Sequence, residues 1–206
     1  MTNPKRHWHH IWTKLKKIHA WYLVIGFVCA SILSAVALRQ NNLNALHLRD
    51  VVIQTDQNNG DVEARLHDLR TYIYSHMNAQ LSTGPNAIRP PIQLKYRYER
   101  LLAAEKARVS AINTAVYAQA QTICEQLSPH GISGAGRVPC IQDYVTRHGA
   151  QEKTIPDGLY KFDFVSPLWS PDLAGWSLLI SALFGFLLVI RSSLYYWLRH
   201  YLKKHV

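Results

Sequence analysis

The chain has 206 residues with 23 Lys and Arg against 13 Asp and Glu, a formal net charge of +10. Such an excess on a folded surface would suit nucleic acid, but here it is not on a folded surface, so nucleic acid is not an expected partner. All 13 acidic residues fall between Asp50 and Asp172, and the stretch from Arg39 to Asp172 also holds 14 Lys and Arg, so it is nearly neutral. Lys5, Arg6, Lys14, Lys16 and Lys17 stand at one end and Arg191, Arg199, Lys203 and Lys204 at the other, with no acid beside them.

The basic ends flank two apolar runs. Residues 1–19 form a leader, and over residues 7–22 Trp8, Ile11, Trp12, Leu15, Ile18 and Tyr22 recur at helical spacing with lysines between them. That pattern predicts an amphipathic helix on a membrane surface, with Lys14, Lys16 and Lys17 toward the headgroups. His7, His9 and His10 lack a nearby acid or Cys to complete a coordination shell, so no metal is expected there. Residues 20–38 are an uncharged run of 19 residues. As a helix the run covers roughly 28 Å, close to the hydrocarbon thickness of a bilayer. Ala35-Val36-Ala37 has the form of a signal-peptidase site, but the run exceeds the roughly 7–15 apolar residues of a leader peptide, and an uncleaved span is expected.

Residues 39–172 are expected to form a helical domain on the far side of the membrane. A turn at Gln57-Asn58-Asn59-Gly60 separates an irregular helical pattern from a stripe of Val62, Leu66, Leu69 and Ile73, which predicts an amphipathic helix of about 22 residues with Asp61 as its cap. A Pro-rich loop over 82–91 precedes a second helix from near Ile92, about 35 residues long, with a stripe including Tyr96, Leu102, Val109, Ile112, Val116, Ile123 and Leu127. A helix of that length needs a partner, either the other helices or a coiled coil with another subunit. A Gly-rich loop over 128–139 leads to a short amphipathic piece ending near Gly149.

Cys124 and Cys140 flank that loop. A disulfide between them would close a small ring, and the expected compartment is oxidising; Cys29 lies inside the first apolar run. Beyond the turn Ile155-Pro156-Asp157-Gly158, Tyr160, Phe162 and Phe164 alternate with charged residues, which predicts a short extended segment. Its aromatic face either packs on the bundle base and headgroups or docks a partner by edge pairing.

The second apolar run, residues 173–190, is again uncharged. Ser170 is the expected N-cap, followed by Pro171 and Asp172, and the helix is expected to continue through Leu194-Tyr195-Tyr196-Trp197-Leu198. Residues 191–206 form a basic, aromatic tail in which Lys203 and Lys204 bind the membrane surface. Basic residues at both ends predict cytoplasmic termini.

The expected fold is therefore an all-α membrane protein: two transmembrane helices flanking an antiparallel helical ectodomain with a short extended juxtamembrane segment. No phosphate loop, HExxH, GxSxG or CxxC is present. An enzyme is not expected, nor is a cofactor. The layout over residues 20–190 resembles the helical sensory ectodomains of bacterial chemoreceptors and sensor kinases, but the chain stops about 16 residues after Ile190, where those proteins continue into a signalling domain. NGDVEARLHDLRTYIYSHMN (Asn59 to Asn78) and KFDFVSPLWSPDLAGW (Lys161 to Trp176) also look like small uncharacterised membrane proteins of reduced-genome bacteria. That likeness implies no function. The leading expectation is a membrane scaffold or accessory subunit that binds a protein partner, or itself, through its helices. A ligand sensor signalling through another subunit is the alternative, with Arg97, Tyr98 and Arg100 as candidate ligand contacts and Tyr160, Phe162 and Phe164 as candidate partner contacts.

Overall fold

A computed structural model describes residues 19–82, 87–127 and 136–204. The structure is mostly helical: α1 spans Ala20–Gln57, α2 Val62–Ser75, α3 Lys95–Leu127, α4 Arg137–His148 and α5 Leu173–Lys204. Two-residue strands, β1 at Ile92–Gln93 and β2 at Lys161–Phe162, pair antiparallel, and a 3-10 turn covers Asp157–Leu159. The predicted leader helix and its histidines lie outside the described residues.

Two of the helices, α1 and α5, are long and apolar enough to cross a membrane. Only 17 % of each apolar stretch is buried, whereas the core helix of a soluble protein would be mostly covered. The chain divides into two compact units. One comprises Met1–Val52, Glu63–Ile88 and Phe164–Val206; the other comprises Ile53–Val62 and Arg89–Asp163.

In the first unit α1 and α5 meet along a seam of small residues. Gly26, Ala30 and Ser34 repeat every fourth position on α1, and Ser177, Ser181 and Gly185 do so on α5. Small side chains let two apolar helices approach closely where lipid supplies no hydrophobic drive. The contact is reciprocal. A Cβ on Gly26 would stand 2.8 Å from the Phe184 ring, and one on Gly185 would stand 3.2 Å from the Phe27 ring. The Ser31 and Ser181 hydroxyls share a hydrogen bond of 2.8 Å, and Ala37 packs with Ala174 and Met77. These pairs run in opposite directions along the two helices, so the helices are antiparallel.

Polar bonds close the seam at the start of α5. Asn41 donates to the Met77 carbonyl (3.1 Å) and to Asp172 Oδ2 (2.6 Å). The Met77 N–H donates to the Ser170 hydroxyl (2.8 Å), and Asn78 donates to the Leu38 carbonyl (3.1 Å). This bonding corrects two expectations. The helix from Val62 ends at Ser75 after 14 residues rather than about 22, because Met77 spends its N–H on Ser170 and Asn78 turns to a left-handed φ of 59°. The stripe Val62, Leu66, Leu69 and Ile73 is buried as expected; Met77 and Leu81 are buried too, but from a non-helical stretch. The cap of α5 is Asp172, not Ser170: Asp172 Oδ1 accepts the Gly175 N–H (2.8 Å), and its carbonyl accepts the Trp176 N–H. Burial alone would raise the Asp172 carboxyl, but bonds from Gly175, Asn41 and Ser170 and the nearby His76 hold it below its ordinary range.

In the second unit, α1 ends at the expected turn in a Schellman motif. The Gly60 N–H reaches the Thr55 carbonyl (2.9 Å), the Asn59 N–H reaches that of Asp56 (3.2 Å), and Asn59 takes the left-handed φ of 52°. The last turn of α1 also supplies Asp56, whose side chain is 2 % exposed. Its carboxylate accepts from the Tyr96 N–H (3.0 Å) and from Arg100 (2.7 Å), so it caps α3 from another helix while Arg100 balances its charge. A second Arg100 nitrogen donates to the Asp56 carbonyl (3.0 Å). The long helix begins at Lys95 rather than near Ile92, because Ile92 and Gln93 pair with Phe162 and Lys161.

Candidate functional site

The candidate site is α3, which runs 33 residues, or about 50 Å. One of its faces is committed to its own chain. Near its start, Asp56 holds Tyr96 and Arg100. In the middle, Glu105, Arg108 and Asn113 grip the extended backbone of residues 150–153. Asn113 makes a two-way pair with Ala150, donating to its carbonyl (3.2 Å) and accepting its N–H (2.7 Å). Arg108 donates to the Gln151 carbonyl (3.3 Å), and Glu105 accepts the Lys153 N–H (2.9 Å). Near its end, Cys124 is joined to Cys140 on α4, with Cα atoms 6.0 Å apart. This is the expected disulfide.

The Arg108 guanidinium and the Lys153 N–H hold the Glu105 carboxyl down, from its ordinary 4.5 to about 2. A carboxylate with a depressed pKa stabilises the fold above its ordinary range and stops doing so as pH falls through the lowered value. The grip on residues 150–153 is therefore expected to loosen between pH 4.5 and about 2. Amide exchange of Lys153 should speed up across that window relative to its intrinsic rate. In Glu105→Gln that pH-dependent step should vanish. Unchanged protection of Lys153 down to pH 2 would show that the carboxylate does not hold this segment.

Beyond Arg100, the face of α3 opposite Asn113, Ala120 and Cys124 is open. Over its whole length only Ala120 and Cys124 are buried. Ala104, Ala107, Ala111, Ala115 and Ala118 form a continuous exposed row. The expected apolar stripe is half-buried at Tyr96, Leu102, Val109, Val116 and Ile123, but Ile112 and Leu127 are exposed. Close approach of α4 favours small residues on the covered side, which is why Ala120 and Cys124 are buried and larger neighbours are not. No charged residue occurs between Arg108 and Glu125.

The candidate ligand contacts do not gather around one point. Arg100 is turned to Asp56, while the Tyr98 ring lies against Tyr160 at 4.7 Å; Arg97, the residue before Tyr98, is half-buried. The candidate partner contacts also separate. Tyr160 meets Tyr98, Phe162 is paired with Ile92 in the two-stranded sheet, and Phe164 meets the Tyr74 ring edge-on at 6.3 Å. Lys14, Lys16 and Lys17 lie outside the described residues, and Lys203 and Lys204 fall in the last turn of α5. Sequence reasoning missed the row of alanines, although its three- and four-residue steps were available as a signal. It also missed Asp56, which carries no local signal because its partners are about 40 residues away.

No protein-family model matches the chain, and neither a curated protein nor a solved structure is significantly similar to it.

Proposed function

We propose that the chain is a non-enzymatic integral membrane scaffold or accessory subunit. In this reading α1 and α5 span the bilayer uncleaved, both termini are cytoplasmic, and α3 presents its open face to a protein partner on the far side. The observation that carries the reading is the neutral, exposed face of α3. A helix face meant for water is ordinarily decorated with Lys and Glu. Here sixteen consecutive residues, Val109 to Cys124, carry no charge, and the outward row is alanine, which suits close packing of another helix. The disulfide supports an oxidising compartment for α3 and α4, and the basic ends support a cytoplasmic location for the termini.

A photoreactive residue at Ala111 or Ala115 in intact membranes is expected to give one discrete adduct, either with another protein or with a second copy. Ala107→Glu should suppress it by placing an unpaired charge in the contact. The absence of an adduct at both positions, or one indifferent to Ala107→Glu, would remove the basis for the scaffold reading. A reporter after Val206 should read cytoplasmic, and an epitope within residues 83–90 should be reached from outside.

A further inference from the structure

The segment between Asp163 and Asp172 contains no charged residue, and three of its apolar side chains are exposed. Leu168 is 99 % exposed and Val165 75 % exposed. Trp169 is partly exposed too, yet its position is fixed. Its ring meets Trp176 edge-on with centroids 6.1 Å apart. Gly175 allows this: a Cβ there would collide with the Ser170 carbonyl oxygen and stand 2.9 Å from Trp169 Nε1. The backbone at 169–170 is thus folded against the first turn of α5, and Trp169 sits at the level of a residue inside that helix. Leu173 and Trp176 are exposed beside it, and Ile180 and Leu183 continue the same face at helical spacing.

We propose that the loop 165–169 is a lipid-binding element that seats Leu168 and Trp169 in the bilayer beside the start of α5. The proposal rests on the reading that α1 and α5 span a membrane. Three observations point to lipid as the occupant. The patch is continuous with the outward apolar face of α5. The paired indoles match the headgroup layer, where an apolar ring with one polar N–H is favoured. Of the two carboxylates that flank the segment, Asp172 is turned inward to Asn41 and Gly175, and Asp163 stands five positions before Leu168. A non-helical backbone is excluded from the hydrocarbon core, where its polar groups would go unsatisfied, so the loop sits at the headgroup–acyl boundary.

The test uses the full chain with Cys29→Ser and the disulfide intact, reconstituted in phosphatidylcholine vesicles. A nitroxide is placed at Leu168→Cys, and in separate samples at Leu183→Cys and Gln119→Cys. Because Leu168 is almost fully exposed, its substitution is expected to leave the fold in place, which an unchanged helical circular-dichroism signal verifies. Collision with oxygen, which concentrates in lipid, is compared with collision with a water-soluble nickel chelate. The expected result is that oxygen dominates at 168 and 183 and nickel dominates at 119. Nickel dominance at 168 with oxygen dominance at 183 would overturn the loop proposal and leave the spanning helices intact. Nickel dominance at 183 would overturn the spanning reading and the proposal with it. Shielding of 168 from both reagents would show that a protein surface, not lipid, covers the loop, and would overturn the proposal as well.

Discussion

Arg100→Met is expected to destabilise the second unit by about 3–5 kcal/mol, the range for removing one partner of a buried ion pair. The variant keeps much of the side-chain length but takes away the guanidinium that faces Asp56. That carboxylate is 2 % exposed and would then hold its charge out of water without its counter-ion. The mirror substitution, Asp56→Asn, should cost less, because Arg100 is 39 % exposed and water compensates it. The double variant Asp56→Ala, Arg100→Met should recover part of the loss, since no uncompensated charge remains. Urea midpoints of the full chain in micelles measure all three, provided the slopes agree. Equal losses for Arg100→Met and Asp56→Asn would mean that the hydrogen bonds to Tyr96 and the α1 carbonyl matter and the charge does not.

Removing the disulfide has the next largest expected effect. Cys124→Ser with Cys140→Ser should lower stability by about 2–4 kcal/mol, because loop-closure models assign about 3 kcal/mol to a ring of this size. The separation is 16 residues. The open chain regains conformations that the bridge denied it, and α4 depends on the bridge more than most helices would. At 12 residues it is marginal by itself, and none of its residues is fully buried. The Arg137–Glu125 ion pair adds little, since both groups are largely exposed. Non-reducing mass spectrometry should recover a peptide pair joining Cys124 to Cys140. Faster exchange in α4 with α3 unchanged would place the loss where the bridge acts. A double variant as stable as the parent would mean that α4 docks by packing alone.

What could be read from the sequence was local, and what could not was held by distant partners. The two apolar helices announce themselves by length and composition. The end of α1 follows from Asn-Asn-Gly, which supplies the left-handed residue a Schellman motif needs. The cysteines flank a Gly-rich loop at a bridgeable separation. Three other features depend on residues far away. Ser170 has the chemistry of a cap, but Met77, 93 positions earlier, takes its hydroxyl. Ile92 reads as the start of a helix because its strand is two residues long and its partner is Phe162. The candidate trio Arg97, Tyr98 and Arg100 is close in sequence, but positions one or two apart on a helix do not face each other, and Asp56 and Tyr160 draw two of its members to separate places. The open face of α3 was visible as a run without charge, but its exposure was not, since the same alanines would suit a buried contact equally well.

The reciprocal fit of Phe184 over Gly26 and Phe27 over Gly185 restricts how the two long apolar helices can move. Sliding one past the other by a single residue, about 1.5 Å, would drive each ring toward a backbone that has a Cβ on it. The Asn41–Asp172 bond opposes the same displacement at the end of the seam. Such a pair behaves as a latched strut rather than as a plunger in a sleeve. A receptor that reports ligand by shifting one span vertically against the other could not be built on it without first undoing the latch. A fixed mount, by contrast, would use the same latch to keep the two helices in register.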